Sequence, residues 1–154
     1  MMINDPSDPQ TIKYTITRLL ASREHSRHEL LIKLQQRQFD TQTCIEWIEK
    51  FADADIQSDH RFAEMLLRSR VQKGQGELAL RQECASHKLP EDLVQTLLDA
   101  MQIDWFEQAL AVAQKKTKGQ LLPSLKDQQK LYRFMAQRGF SSEQIRYAIQ
   151  NIKQ

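Results

Sequence analysis

Five apolar positions, Leu30, Leu34, Phe39, Cys44 and Ile48, recur 50 residues on as Leu80, Cys84, Leu89, Val94 and Leu98. They recur again 51 residues further on as Leu131, Met135, Phe140, Ile145 and Ile149, with the internal spacings of 4, 5, 5 and 4 unchanged. A four-residue step is one helical turn. Each five-slot set therefore reads as two helices joined by a short turn, placed just after Gln38, Lys88 or Gly139. Self-similarity at a fixed period marks a chain built by stacking one small unit, each copy covering apolar surface its neighbour leaves open.

Helix-start chemistry follows the same period. Ser26, Gly76 and Asp127 stand eight residues before Leu34, Cys84 and Met135, and all three are residue types that suit an N-cap. The third helix of each unit starts at Asp40–Thr41, Pro90 and Ser141. Proline suits a first turn, Ser141 with Gln144 resembles a capping box, and Gly139 is a good left-handed stop. A weaker match precedes each pair: Ile16, Leu19, Leu20 and Arg23 align with Ala63, Leu66, Leu67 and Arg70, then with Ala109, Val112, Ala113 and Lys116. The pattern predicts nine helices near 9–23, 26–38, 41–52, 59–73, 76–87, 90–101, 104–117, 127–138 and 141–153. The expected fold class is all-α, one domain of residues 1–154 built from three tandem three-helix repeats, 9–52, 59–101 and 104–153, forming an elongated, curved array. The longest connection, Lys118–Lys126, is the candidate mobile segment.

Composition removes the competing folds. With 4 Gly and 4 Pro the chain cannot supply the frequent turns of a β-sandwich or the glycine-rich loop of a nucleotide fold. Apolar runs are too short for a membrane span, and the polar, acidic N-terminal stretch does not read as a signal peptide, so a cytoplasmic protein is expected. Cys44 and Cys84 fall in core slots and read as buried free thiols, as in a reducing compartment. His25 and His28 flank the N-cap Ser26 without a carboxylate cluster, His60 and His87 are isolated, and Asp53, Asp55 and Asp59 lack the rest of a calcium loop. No metal, no cofactor and no enzymatic activity are expected. Trp47 adjoins the Ile48 slot and Trp105 opens a helix, so both read as packing residues.

Charge is banded along the chain. Residues 11–37 carry +4, 40–60 carry −5, 61–88 carry +3, 91–107 carry −5 and 108–154 carry +7, within a net charge of +2. Such bands are either solvated helix faces or a basic stripe that meets a polyanion or an acidic protein surface. In residues 61–76, Phe62, Met65, Leu66 and Ser69 mark one side and Arg61, Arg68 and Gln72 the other, with Arg70 and Lys73 in the last turn. The Lys73-Gly-Gln-Gly76 run then opens a helix carrying Arg81, an arrangement suited to an anion. The cation shared by Arg23, Arg70 and Lys116 is either a repeated helix-end charge or a repeated contact point.

Several segments together carry a family resemblance. These are Ser22-Arg-Glu-His-Ser-Arg-His-Glu-Leu30 with Lys33-Leu34, Ser58-Asp-His-Arg-Phe-Ala63, Arg68-Ser-Arg70 with Lys73-Gly-Gln-Gly76, and Leu80-Arg-Gln-Glu-Cys84. Ile103-Asp-Trp105, Lys115-Lys116 and Phe134-Met-Ala-Gln-Arg-Gly-Phe140 complete the set. In order and spacing they resemble the bacterial RecX regulators of the RecA recombinase, over about residues 11–150. The chain departs from the family's usual pattern at Ser58, Cys84 and His87-Lys88. The resemblance implies three three-helix repeats and a non-catalytic regulator that binds RecA filaments on single-stranded DNA. Such a regulator inhibits ATPase, strand-exchange and co-protease activities and so modulates DNA repair and the SOS response. Arg23, Arg27, Arg68, Arg70, Lys73, Arg81, Lys115, Lys116 and Arg138 are the expected basic contacts to the recombinase, and to single- or double-stranded DNA if it is touched directly. A monomer without membrane association is expected. The alternative reading of the same bands is a stand-alone helical DNA-binding protein.

Overall fold

The structure is a computed structural model that describes residues 5–122 and 124–152. Among these it contains nine α-helices and no strand: α1 (Pro9–Ser22), α2 (Arg27–Gln36), α3 (Thr41–Asp53), α4 (Asp59–Gln72), α5 (Glu77–Ser86), α6 (Glu91–Met101), α7 (Trp105–Thr117), α8 (Leu125–Gln137) and α9 (Ser142–Gln150). All nine expected helices are present. Residue 153, the expected end of the ninth, lies outside the described residues.

Fourteen of the fifteen repeat slots are buried, and Ile149 is half-buried against the same core as its neighbours. The turn slots repeat as well. Gln38, Lys88 and Gly139 all take positive φ, at 68°, 57° and 95°. A shared left-handed residue lets each second helix stop and reverse into the third at a fixed five-residue step. Side-chain oxygens of Ser26, Asp40 and Ser141 accept from the backbone amides three residues on, and Ser141 with Gln144 completes a capping box.

Two expected helix starts shift. Helix α8 begins at Leu125 and not at Asp127, because the Ser124 side chain accepts from the Asp127 amide and wins the cap. Asp127 then sits in the first turn, where a negative charge complements the helix dipole. Pro90 is the N-cap of α6 and not its first helical residue, with extended φ and ψ and no side-chain cap bond.

The chain divides into two compact units, residues 1–65 with 87–89, and residues 66–86 with 90–154. In the first unit, Ile12, Ile16, Leu30, Leu34, Phe39, Cys44, Ile48 and Phe51 form one core, with Leu19, Leu20, Leu31 and Trp47 packed against it. Its loops are clasped by polar groups. Buried Gln57 donates to the His25 carbonyl (3.1 Å) and to Asp59 (3.0 Å), and Asp59 also accepts from the Arg27 amide (2.9 Å). Arg61 donates to Glu24, to the Asp55 side chain and to the carbonyls of Asp55 and Ile56.

In the second unit, Ala109, Ala113, Leu131, Met135, Phe140, Ile145, Ala148 and Ile152 form a core in which α7 packs on α9. The start of α5 lies directly on the α8–α9 turn. A Cβ on Gly76 would stand 2.6 Å from the Gly139 carbonyl, and one on Gly139 would stand 2.5 Å from the Ala79 nitrogen. Only glycine permits this approach. It brings the Gly76 amide to the Arg138 carbonyl (2.7 Å) and the Leu78 amide to the Gly139 carbonyl (3.1 Å).

Candidate functional site: a basic cleft

Four of the nine expected cations converge. Lys73, at the end of α4, Lys115 and Lys116, in the last turn of α7, and Arg138, after α8, line one cleft of about 400 Å³ in the second unit. Its floor is Val71, Gly74, Ala111, Val112 and the Phe134 ring. Two contacts fix the walls: Arg138 donates to the Lys73 carbonyl (2.9 Å), and Gln108 donates to the Val71 carbonyl (2.8 Å). Gly74 holds φ at +85°, and a Cβ there would stand 3.0 Å from the Val112 side chain and crowd the cleft. Lys116 and Arg138 both lie over Phe134, 4.5 and 4.9 Å from the ring centre. Such contacts are worth about 0.5–1 kcal/mol each at exposed sites. No carboxylate lines the cleft, so its field is positive.

The remaining cations have other occupations. Arg23 pairs with Glu29, and Arg27 with Glu49. Arg70 grips Glu83 with two nitrogens, Nε to Oε1 and Nη2 to Oε2, both at 2.9 Å. Arg81 donates to Glu77 (2.8 Å) and Gln95 (2.6 Å). Arg68 is exposed on α4 outside the cleft. Burial works to raise the Glu29 carboxyl, but the Arg23 guanidinium, with His25 and Lys33 nearby, outweighs it and holds Glu29 below the usual carboxylate range.

These contacts give the cation slot a role that helix-end compensation alone does not. In repeats two and three the side chain at the end of the first helix meets the same slot of the second helix, Arg70 on Glu83 and Lys116 on Phe134. In repeat one the slot holds Lys33, and Glu29, one turn earlier, pairs with Arg23 and lies 3.9 Å from Lys33. The helix-end cation is a first-to-second-helix tether made with two chemistries, a carboxylate partner in repeats one and two and an aromatic ring in repeat three. The signal in the sequence was Glu83 and Phe134 at one repeat offset, with Glu29 one turn before the equivalent Lys33.

The anion site expected at the start of α5 is not available as drawn. The Gly76 and Leu78 amides are spent on the Arg138 and Gly139 carbonyls. Lys118 and Lys130, not among the expected contacts, line a neighbouring cavity of about 550 Å³ that shares Lys116 with the cleft. Their place in the +7 segment was the available signal.

Cys44 and Cys84 are buried free thiols, pushed up to about 11 by burial. Trp47 packs on the first core with Lys13 and Lys50 over its ring. Among the described residues no group of three or more His, Cys, Asp or Glu could hold a metal ion, and no helix is long and apolar enough to cross a membrane.

Tandem three-helix units carrying a basic cleft define an all-helical repeat protein with a positively charged surface. Residues 58–98 match the family description "RecX, second three-helix domain", and residues 102–149 match "RecX, third three-helix domain". Regulatory protein RecX of Vibrio cholerae is 36% identical over 143 residues, covering 93% of this chain and 94% of that protein. That of Halorhodospira halophila is 31% identical over 139 residues, covering 90% and 86%. The crystal structure of RecX from Lactobacillus salivarius superposes with a TM-score of 0.75 at 20% identity, over 94% of this chain and 96% of that one, a likeness of fold. The chain belongs to the RecX family of regulatory proteins.

Proposed function

We propose that this chain acts, without chemistry of its own, as a cytoplasmic monomer that binds RecA filaments on single-stranded DNA. Binding lowers their ATPase, strand-exchange and co-protease activities, and so modulates DNA repair and the SOS response. The observation that carries the reading is the sorting of the basic residues. Arg23, Arg70 and Arg81 are held in intramolecular ion pairs, whereas Lys73, Lys115, Lys116 and Arg138 share a cleft lined by no carboxylate. Cations grouped in that way steer an anionic partner and set its register. Membership in a family of regulatory proteins supports the same reading.

The test is RecA-catalysed ATP hydrolysis on single-stranded DNA. The wild-type chain inhibits it. Lys73→Glu/Lys115→Glu, at two exposed positions, raises the concentration for half-inhibition at least about tenfold, while helicity and melting stay unchanged. The residual inhibition is less sensitive to salt. Absence of inhibition by the wild type up to saturation refutes the reading. Inhibition by the variant equal to the wild type moves the interface away from the cleft. Tight binding of bare duplex DNA without effect on the filament supports the stand-alone DNA-binding alternative instead.

A further inference from the structure

The make-up of the cleft narrows what it can hold, and the inference rests on the functional reading just given. A nucleic-acid backbone asks for cations alone, and bases ask for open aromatic faces or polar edges. The cleft offers cations around an aliphatic floor. Val71, Ala111 and Val112 lie among Lys73, Lys115, Lys116 and Arg138. Its one aromatic ring, Phe134, already carries Lys116 and Arg138 over it, so a base could stack there only by displacing them. Of the two lining amides, that of Gln108 is spent on the Val71 carbonyl, which leaves the exposed Gln72 as the one side chain suited to a base edge.

The volume, about 400 Å³, is enough for one or two side chains and a short stretch of backbone. The site is also preformed. Arg138 is locked to the Lys73 carbonyl, its own carbonyl receives the Gly76 amide, and Gly74 leaves the floor open. A ligand therefore meets Lys116 and Arg138 already placed over the Phe134 ring, while the exposed Lys73 and Lys115 side chains order on contact.

We infer that the cleft binds a short acidic protein segment carrying an aliphatic side chain, which seats on Val71, Ala111 and Val112 while flanking carboxylates meet Lys73, Lys115, Lys116 and Arg138. The apolar anchor supplies affinity and the carboxylates supply register, the usual division between the core and rim of an interface.

The experiment uses the full chain and fluorescence anisotropy with three labelled probes. They are a heptapeptide of five glutamates and two leucines, the same peptide with alanines for the leucines, and an oligothymidylate of equal charge. The leucine peptide binds at least about tenfold more tightly than the alanine peptide, the ratio expected from burying a few additional methylenes. Ala111→Glu, at an exposed floor position, abolishes leucine-peptide binding. Lys115→Glu weakens it at least about tenfold, and circular dichroism verifies that both variants keep the wild-type helicity.

Equal binding of the two peptides overturns the inference. So does tighter binding of the oligothymidylate in competition with the peptide, which assigns the cleft to a nucleic-acid backbone. Peptide binding untouched by Ala111→Glu and Lys115→Glu also overturns it. The filament assay separates this inference from the functional reading. Loss of inhibition by Ala111→Glu with no peptide binding to the wild type sinks the peptide and leaves the regulator. Peptide binding as described, with full inhibition by Ala111→Glu, keeps the peptide and removes the cleft from filament control.

Discussion

Truncating Arg70 to alanine separates the two meanings of the repeated cation. Its guanidinium meets Glu83 through two 2.9 Å bonds, and the two side chains are only 29% and 26% exposed. Fully exposed ion pairs are worth about 0.2–1 kcal/mol, and hydrogen bonds to charged groups reach about 1.5–3 kcal/mol. A two-pronged, three-quarters-covered pair belongs between these, at about 1–1.5 kcal/mol of coupling. Urea unfolding followed by helical circular dichroism on Arg70→Ala, Glu83→Ala and the double variant gives that coupling from a double-mutant cycle. Coupling below about 0.3 kcal/mol, within the error expected for independent sites, would refute the tether. The charge swap Arg70→Glu/Glu83→Arg adds the functional half. Reversing Arg70 alone sets two carboxylates face to face and destabilises, whereas the swap recovers most of the loss. Because the tether reading gives Arg70 no part in the cleft, the swapped chain inhibits the filament like wild type. A swapped chain that is stable but fails to inhibit would make Arg70 a contact residue.

Two further outcomes follow from the turns and from a buried imidazole. Gly139→Ala forces a Cβ to within 2.5 Å of Ala79 at a φ of +95°, so it destabilises by more than about 2 kcal/mol, whereas Lys88→Gly, at the equivalent left-handed slot, changes stability by less than about 1 kcal/mol; urea midpoints check both. His25 is 1% exposed, and burial pushes its imidazole below the usual 6.5, while its ring nitrogens face the Arg23 carbonyl (3.0 Å) and Lys33 Nζ (2.9 Å), with Glu29 nearby. The unfolded chain thus binds the proton first, and stability falls as pH drops below about 6.5. His25→Gln flattens melting temperature against pH in that window, while the loss from Glu29, whose carboxyl is depressed in the fold, begins only as pH falls into the ordinary carboxylate range and continues down to its lowered value.

The fold was legible because its determinants are periodic. Apolar slots at 50- and 51-residue offsets became buried positions, and the three turn residues took the same left-handed backbone although only one is glycine. A repeated environment, and not residue identity, sets φ at Gln38 and Lys88. The start of α8 departs from the eight-residue register because local chemistry outweighs the repeat there. Ser124 followed three residues later by an acid is itself a capping pattern, and the local hydrogen bond decided the boundary.

The site was legible only as a list of charges. Charge bands record net sign along the chain, but ion pairing is decided by which side chains meet across helices, and Lys73 and Arg138 are 65 residues apart. The equivalence of Arg23, Arg70 and Lys116 pointed to a shared role, and the shared role is the tether between the first and second helices. What differs between repeats is the tether's partner. Glu29 and Glu83 neutralise the cation in repeats one and two, but Phe134 attracts Lys116 without cancelling its charge. That single change of partner, from carboxylate to aromatic ring, keeps the third repeat's helix-end cation available to an incoming anion. With Lys115 beside it and Lys73 and Arg138 across the cleft, it completes the four-cation lining on which the proposed binding surface rests.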